Sequence, residues 1–228
     1  MGEQPACPHL AELRALVASS CPALKVFPLR DVVVLPGTTT PFHIFEPRYR
    51  ALVEDALVGD RTLAVATLTA AEGSAVSPVA GAGFIEAEEK HADGRYLIAF
   101  RGVARVRLVA ELESEKPYRE FRAEMLEDVY PPAGPAALAR QRTALEALVL
   151  RLVEVLPPES GAERLAGLAA RTASPSALAD MVAAAVVSES AERLAVIEEL
   201  DVARRLDLVS GELASVILML SRGRAPTA

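Results

Sequence analysis

A chain of 228 residues has room for one large domain or two small ones. With 51% hydrophobic residues it can bury a core, which excludes wholesale disorder. Its net charge of −7, with Lys25, Lys90 and Lys116 the sole lysines among 24 basic residues, argues against a general nucleic-acid binder, whose affinity rests on phosphate attraction.

The first residues, Met-Gly-Glu-Gln-Pro-Ala, offer no basic region and no uninterrupted apolar stretch, so no signal peptide is expected. Ala6 stands where a myristoylation pattern needs Ser or Thr. No run approaches the ~18 uncharged apolar residues of a membrane span, and a reducing cytoplasm is the expected setting for a chain with two cysteines. A short helix is predicted around Ala11 to Ser19, within an N-terminal extension over 1–24. Cys7, His9, Cys21 and His43 make a conceivable ligand set, but their spacing fits no zinc pattern, so free thiols and no metal are expected.

From Lys25 the pattern turns to strands. Val26 to Leu29 and Val32 to Leu35 are short apolar runs, the second ended by the turn dipeptide Pro36-Gly37, and Pro41 to Phe45 reads as another strand. Pro47 suits the first position of a helix carrying Leu52, Val53, Ala56 and Leu57 at helical spacing and stopping at Gly59. Strands are predicted over Thr62–Thr69, Gly83–Glu88 and Arg95–Phe100, the last two flanking a hairpin turn at Asp93-Gly94. Val103–Leu112 alternates Ala104, Val106, Leu108 and Ala110 against Arg105 and Arg107, and Tyr118–Val129 places Phe121, Ala123 and Met125 on one side. A β-rich module with one inserted helix is therefore expected over 25–130.

The turn Tyr130-Pro131-Pro132-Ala133-Gly134-Pro135 marks a change of composition. Leu145, Leu148, Val149, Leu152 and Val153 recur at helical spacing up to Pro157-Pro158. Further helices are predicted over Ala162–Ala170, from Ser174-Pro175 to about Val187, from a Ser190 cap to Leu200, and from Asp201 to near Ser221. A helical bundle over 131–222 and a tail over 223–228 complete the predicted α+β organisation.

Catalytic patterns are missing from this sequence. A phosphate loop needs Gly-Lys, and no such pair occurs. Gly81-Ala82-Gly83 lacks the third glycine of a dinucleotide fingerprint, and Gly-x-Ser-x-Gly is absent. Three histidines give a Ser-His-Asp arrangement little to draw on, and His43, in an apolar strand, reads as a packed, hydrogen-bonded residue. No enzyme, cofactor or metal is expected, and hydrolysis ranks last among the functional readings.

Two groups of residues are candidates for binding. Phe42, Phe45 and Tyr49 could border an apolar groove for extended peptide; the competing reading has Phe45 and Tyr49 filling the core while Glu46 and Arg48 pair at the helix start. Arg101, Arg105 and Arg107 form the one basic stripe, suited to RNA or an acidic partner; the competing reading is the wet face of a strand opposite Glu86 and Glu88.

The stretch from Val26-Phe27-Pro28-Leu29-Arg30-Asp31 to Pro36-Gly37, followed by Pro41-Phe42-His43-Ile44-Phe45-Glu46-Pro47-Arg48-Tyr49, resembles the opening of the Lon protease N-terminal, substrate-binding domain, in its stand-alone form. Val79 to Ile85, Asp93-Gly94-Arg95-Tyr96, Phe100-Arg101-Gly102-Val103-Ala104-Arg105-Val106-Arg107, Pro117-Tyr118 and the segment Leu194 to Leu206 extend the similarity over roughly 25–220. The resemblance implies a β-rich, PUA-like pseudo-barrel with an inserted helix, followed by a helical bundle. It also implies a non-catalytic module for unfolded or apolar peptide segments or a protein partner, linked to protein quality control. Binding in a groove between barrel and bundle, aided by strand addition at a barrel edge, is the expected mode. RNA binding, which PUA-like barrels often perform, is the alternative. The motor and Ser–Lys peptidase of full-length Lon lie on domains for which this chain shows no motif; oligomeric state stays open.

Overall fold

The structure, a computed structural model, describes residues 10–69 and 75–223. Cys7 and His9, half of the conceivable ligand set, fall outside the described residues. The chain divides into two compact units, Met1–Leu126 and Glu127–Ala228.

In the first unit, α1 (Leu10–Ser20) leads into β1 (Leu24–Leu29), β2 (Thr39–Ile44), α2 (Pro47–Val58), β3 (Thr62–Thr67), β4 (Val79–Lys90), β5 (Tyr96–Glu111) and β6 (Arg119–Leu126). The strand order is β2-β5-β4-β3-β1-β6, and β6 pairs a second time with β5. Five strands thus close into a barrel, with β2 appended to the outside of β5. β1 and β3 run parallel, joined through β2 and α2; every other pairing is antiparallel.

The two strands predicted on either side of Phe100 are one strand of 16 residues. Its first part, 96–101, pairs with β2, and its second, 105–111, with β6. The apolar run Val32 to Leu35, expected as a strand, lies outside the ladders, with Val32 half-buried and Val33, Val34 and Leu35 buried. It crosses the sheet: Gly37 N donates to Gly102 O at 2.9 Å, and Gly102 N to Thr38 O at 2.8 Å. The crossing is so close that a Cβ at Gly81 would stand 2.0 Å from the Val34 carbonyl oxygen, and one at Gly102 2.5 Å from that of Leu35. Glycine is needed there for approach, and at Gly83 a Cβ would stand 2.0 Å from the Arg101 carbonyl oxygen of β5, so the Gly81 and Gly83 spacing is explained without any nucleotide.

Two apolar clusters fill the unit. Leu13 and Val17 of α1 pack with Leu24, Val26, Val106 and Phe121. Leu52 and Val53 of α2 pack with Phe27, Ile44, Ile85 and Phe100. Local signals placed α2 as expected: Glu46 is its N-cap residue, Pro47 its first, and Gly59 ends it, donating to Ala56 O at 3.1 Å.

The second unit comprises α3 (Ala139–Val155), α4 (Ala162–Arg171), α5 (Pro175–Val186), α6 (Ser190–Glu198) and α7 (Val202–Gly223). Ser174 caps α5, its hydroxyl accepting from Ala177 N at 3.3 Å. Asp201 caps α7, accepting from Ala203 N at 2.9 Å and Arg204 N at 3.2 Å. The expected cap at Ser190 is displaced: Glu189 holds the N-cap position without a side-chain bond, and Ser190 is already helical. α6 stops at Glu198 rather than Leu200: Glu199 is already extended, and the Leu200 carbonyl beyond it accepts from Val129 N at 2.8 Å. No described helix is long and apolar enough to cross a membrane.

Candidate functional site

The segment from β2 into α2 is where sequence reasoning concentrated. Alternation along β2 sends Phe42 and Ile44 inward and leaves Thr39, Pro41 and His43 exposed. Phe42 sits 5.6 Å, ring centroid to centroid, from Phe27 and 6.2 Å from Phe100. Tyr49, one helical turn into α2, lies 4.6 Å from Phe27, and its hydroxyl donates to Pro28 O at 3.4 Å. Burial pushes the Tyr49 hydroxyl pKa up, with Arg48 opposing. Phe45 has none of this company. It falls between strand and helix, where neither packing direction claims it, and is 64% exposed.

The structure therefore does not gather Phe42, Phe45 and Tyr49 on one surface: two are core and one reaches solvent. Of six phenylalanines and four tyrosines, Phe45 is the exposed one. Glu46 and Arg48 pair at the helix start, at 2.8 Å, and the Arg48 guanidinium lies 4.4 Å from the Tyr49 ring centroid. His43, expected to be packed, is exposed instead, because the inward positions of β2 are those of Phe42 and Ile44.

The basic stripe is broken up as well. Arg101 pairs with Glu86 at 3.5 Å. Arg107 is exposed and opposite Glu124 across the β5–β6 ladder. Arg105, expected on the wet face, is only 4% exposed. It is registered opposite Gly81, on the side of the sheet where the Val34 crossing rests, so the alternation that exposes Arg107 fails one step earlier. Glu88 pairs with Arg61 rather than with the stripe.

Two features escaped the sequence reading. On α2, adjacent carboxylates anchor the helix to the barrel: Tyr96 donates to Glu54 at 3.0 Å and Tyr118 to Asp55 at 2.5 Å. A lysine overlies each ring, Lys90 at 5.0 Å and Lys116 at 5.4 Å. The Tyr118 bond holds the Asp55 carboxyl below the usual carboxylate range, with help from Lys116. Burial, then the bond to Asp55, raises Tyr118 to about 12. In the bundle, Arg205 is fully buried and donates to Asp128 at 2.7 Å, Glu199 O at 2.8 Å, Ser176 at 3.0 Å and Asp180 at 3.5 Å. Its signal was an arginine on the apolar stripe of Val202, Leu206, Val209 and Leu213.

Among the described residues no three His, Cys, Asp or Glu side chains gather as metal ligands. Cys21 is a free, buried thiol, 3.4 Å from the Val17 carbonyl, and burial raises its pKa, which makes it a poor nucleophile.

Comparison with known proteins bears on what this arrangement serves. Residues 23–215 match the family model of the ATP-dependent protease La (LON) substrate-binding domain. The chain belongs to that family. It is 26% identical to a Lon protease of Desulfosudis oleivorans over 207 residues, covering 88% of this chain and 25% of the relative. It is 30% identical to Lon protease 2 of Myxococcus xanthus over 200 residues, covering 82% of this chain and 23% of the relative. It thus spans about a quarter of the length of these relatives. Among solved structures it shares the fold of the N-terminal domain of Mycobacterium avium complex Lon protease, with a TM-score of 0.67 at 21% identity over 84% of this chain and 98% of the other. A Lon N-terminal domain protein from Xanthomonas campestris gives 0.59 at 21% identity, covering 83% and 97%. The matched region is the substrate-binding domain rather than the ATPase or protease domain of Lon, in keeping with a substrate-recognition module.

Proposed function

We propose that this chain is a non-catalytic recognition module that binds exposed apolar segments of unfolded proteins, in the cytoplasm and in the service of protein quality control. The observation that carries the reading is Phe45. A large aromatic side chain left 64% exposed forgoes burial worth about 1.5–3 kcal/mol, although the rest of its strand and helix pack normally. Such a residue is suited to contribute that burial to a partner. The family match to a substrate-binding domain supports the same direction. The basic stripe gives no comparable support for RNA, since Arg105 is buried and Arg101 is paired.

The test is a fluorescence-anisotropy titration of the intact chain against labelled, reduced and carboxymethylated α-lactalbumin, which stays unfolded, with the native form as control. Saturable binding of the unfolded form alone, weakly dependent on salt, is expected. No saturable binding would overturn the reading. Binding of an RNA oligomer with steep salt dependence would replace it with the nucleic-acid alternative.

A further inference from the structure

We propose that the outer edge of β2 takes up an extended, uncharged stretch of an unfolded protein as an added antiparallel strand, running alongside Phe45. The proposal rests on the functional reading above and specifies how that site engages its substrate. Among the described strands, β2 pairs with β5 alone. Thr38 turns its carbonyl to β5, where Gly102 N donates to it. By the alternation of strand backbone groups, Thr40, Phe42 and Ile44 face β5 too, and Thr39, Pro41 and His43 present theirs outward. The outward row offers the N–H groups of Thr39 and His43 and the carbonyls of all three residues.

The chemistry of this edge selects its occupant. From Val32 to Phe45 the chain carries no Asp, Glu, Lys or Arg. The outer end of β4 is the opposite case. β3 pairs with β4 no further than Phe84, the Ile85 N–H goes to Arg61 O, and the stretch beyond, laddered to β5 on its other side, is studded with Glu86, Glu88, Glu89 and Lys90. Charges of that kind are how sheet edges are kept from pairing with other chains. One free edge is thus defended by charge, and the other is neutral and continues into an exposed phenylalanine. A neutral, apolar segment matches it; a charged one would be desolvated with no counter-charge on β2.

Pro41 decides between a foreign strand and a second copy of this chain. Two copies of β2 paired antiparallel through all of their outward residues, Thr39, Pro41 and His43, would meet around a two-fold axis with Pro41 opposite Pro41. Both hydrogen bonds at the centre of the ladder would be lost. A foreign strand still donates its own N–H to the Pro41 carbonyl and exchanges full pairs with Thr39 and His43. The proline therefore blunts self-pairing while leaving the edge usable by another sequence.

The test measures residue-resolved amide exchange of the intact chain, free and saturated with reduced, carboxymethylated α-lactalbumin. Exchange at Thr39 and His43 is expected to slow by about 10-fold or more in the complex, as for newly bonded strand amides. Thr40, Phe42 and Ile44, already facing β5, are expected to change little. His43→Pro removes an outward N–H and is expected to weaken binding about 10-fold. His43→Ala keeps the N–H and is expected to bind as the unaltered chain does. Saturable binding with unchanged exchange at Thr39 and His43 would overturn strand addition and leave the functional reading standing; so would equal binding by a folded His43→Pro variant. Absence of binding would overturn both. Should His43→Pro fail to fold, the exchange measurement on the unaltered chain decides alone.

Discussion

The barrel and the bundle solve the same problem with opposite chemistry. The barrel unit packs an apolar cluster of Phe27, Phe42, Phe100 and Ile85 against α2, and its polar ties lie at a rim of strand ends, where Tyr96 at the start of β5 meets Glu54 and Tyr118 just before β6 meets Asp55. The bundle places a fully buried arginine among Asp128, Asp180, Ser176 and the Glu199 carbonyl. The difference follows from the elements. A closed sheet fixes the position of every strand through its ladder, so its core needs only volume and shape. Short helices have no ladder between them, and alanine-rich ones such as α4 and α5 offer little side-chain shape. A satisfied polar hub supplies the missing directionality, joining 128–129 to α5 and to the α6–α7 corner.

The contrast can be broken at its strongest point. Arg205→Ala leaves Asp128 and Asp180 without their shared donor and is expected to cost about 3–5 kcal/mol, read as a lowered midpoint in urea unfolding followed by far-UV circular dichroism. A loss under about 1 kcal/mol would mean the hub specifies nothing. In the barrel the most sensitive point is a crossing rather than a charge. Gly81→Ala drives a Cβ toward the Val34 carbonyl and is expected to cost about 1–3 kcal/mol in the same measurement.

Rim ties should matter less, and through pH. Tyr118→Phe deletes the bond to Asp55 and is expected to cost about 1 kcal/mol at neutral pH. The Asp55 carboxyl is held low in the folded chain, so its contribution is present above the ordinary carboxylate range and is lost as pH falls through the depressed folded value. Tyr118 is raised, so its contribution is present below the ordinary tyrosine value of about 10 and is lost as pH climbs toward about 12. Stability measured against pH should therefore lose part of both its acid and its alkaline falls in Tyr118→Phe. A profile parallel to that of the unaltered chain would sink this account of the rim. Phe45→Ser should do least to the fold, shifting stability by no more than about 0.5 kcal/mol, because the side chain is already in water.

What the sequence disclosed was local. The Asp93-Gly94 turn, Pro47 at the start of α2, Ser174 before α5 and Asp201 before α7 each act within a few residues, and each appears where expected. What it concealed depends on distant chain. Closure of the barrel needs β6 to find both β1 and β5; the 32–35 crossing and the burial of Arg105 depend on where β4 and β5 lie. At the candidate site, a cluster of aromatics was visible but not which of them turn outward. The alternation that buries Phe42 and Ile44 already exposes His43 and leads on to Phe45, and the helix start at Pro47 then returns Tyr49 to the core.

The most direct test of the central claim compares the intact chain with Phe45→Ser in binding reduced, carboxymethylated α-lactalbumin, with the thermal midpoint of each recorded alongside. Recognition through the exposed ring predicts affinity reduced by about 10-fold or more at an unchanged midpoint. Equal affinity for the two proteins would contradict it.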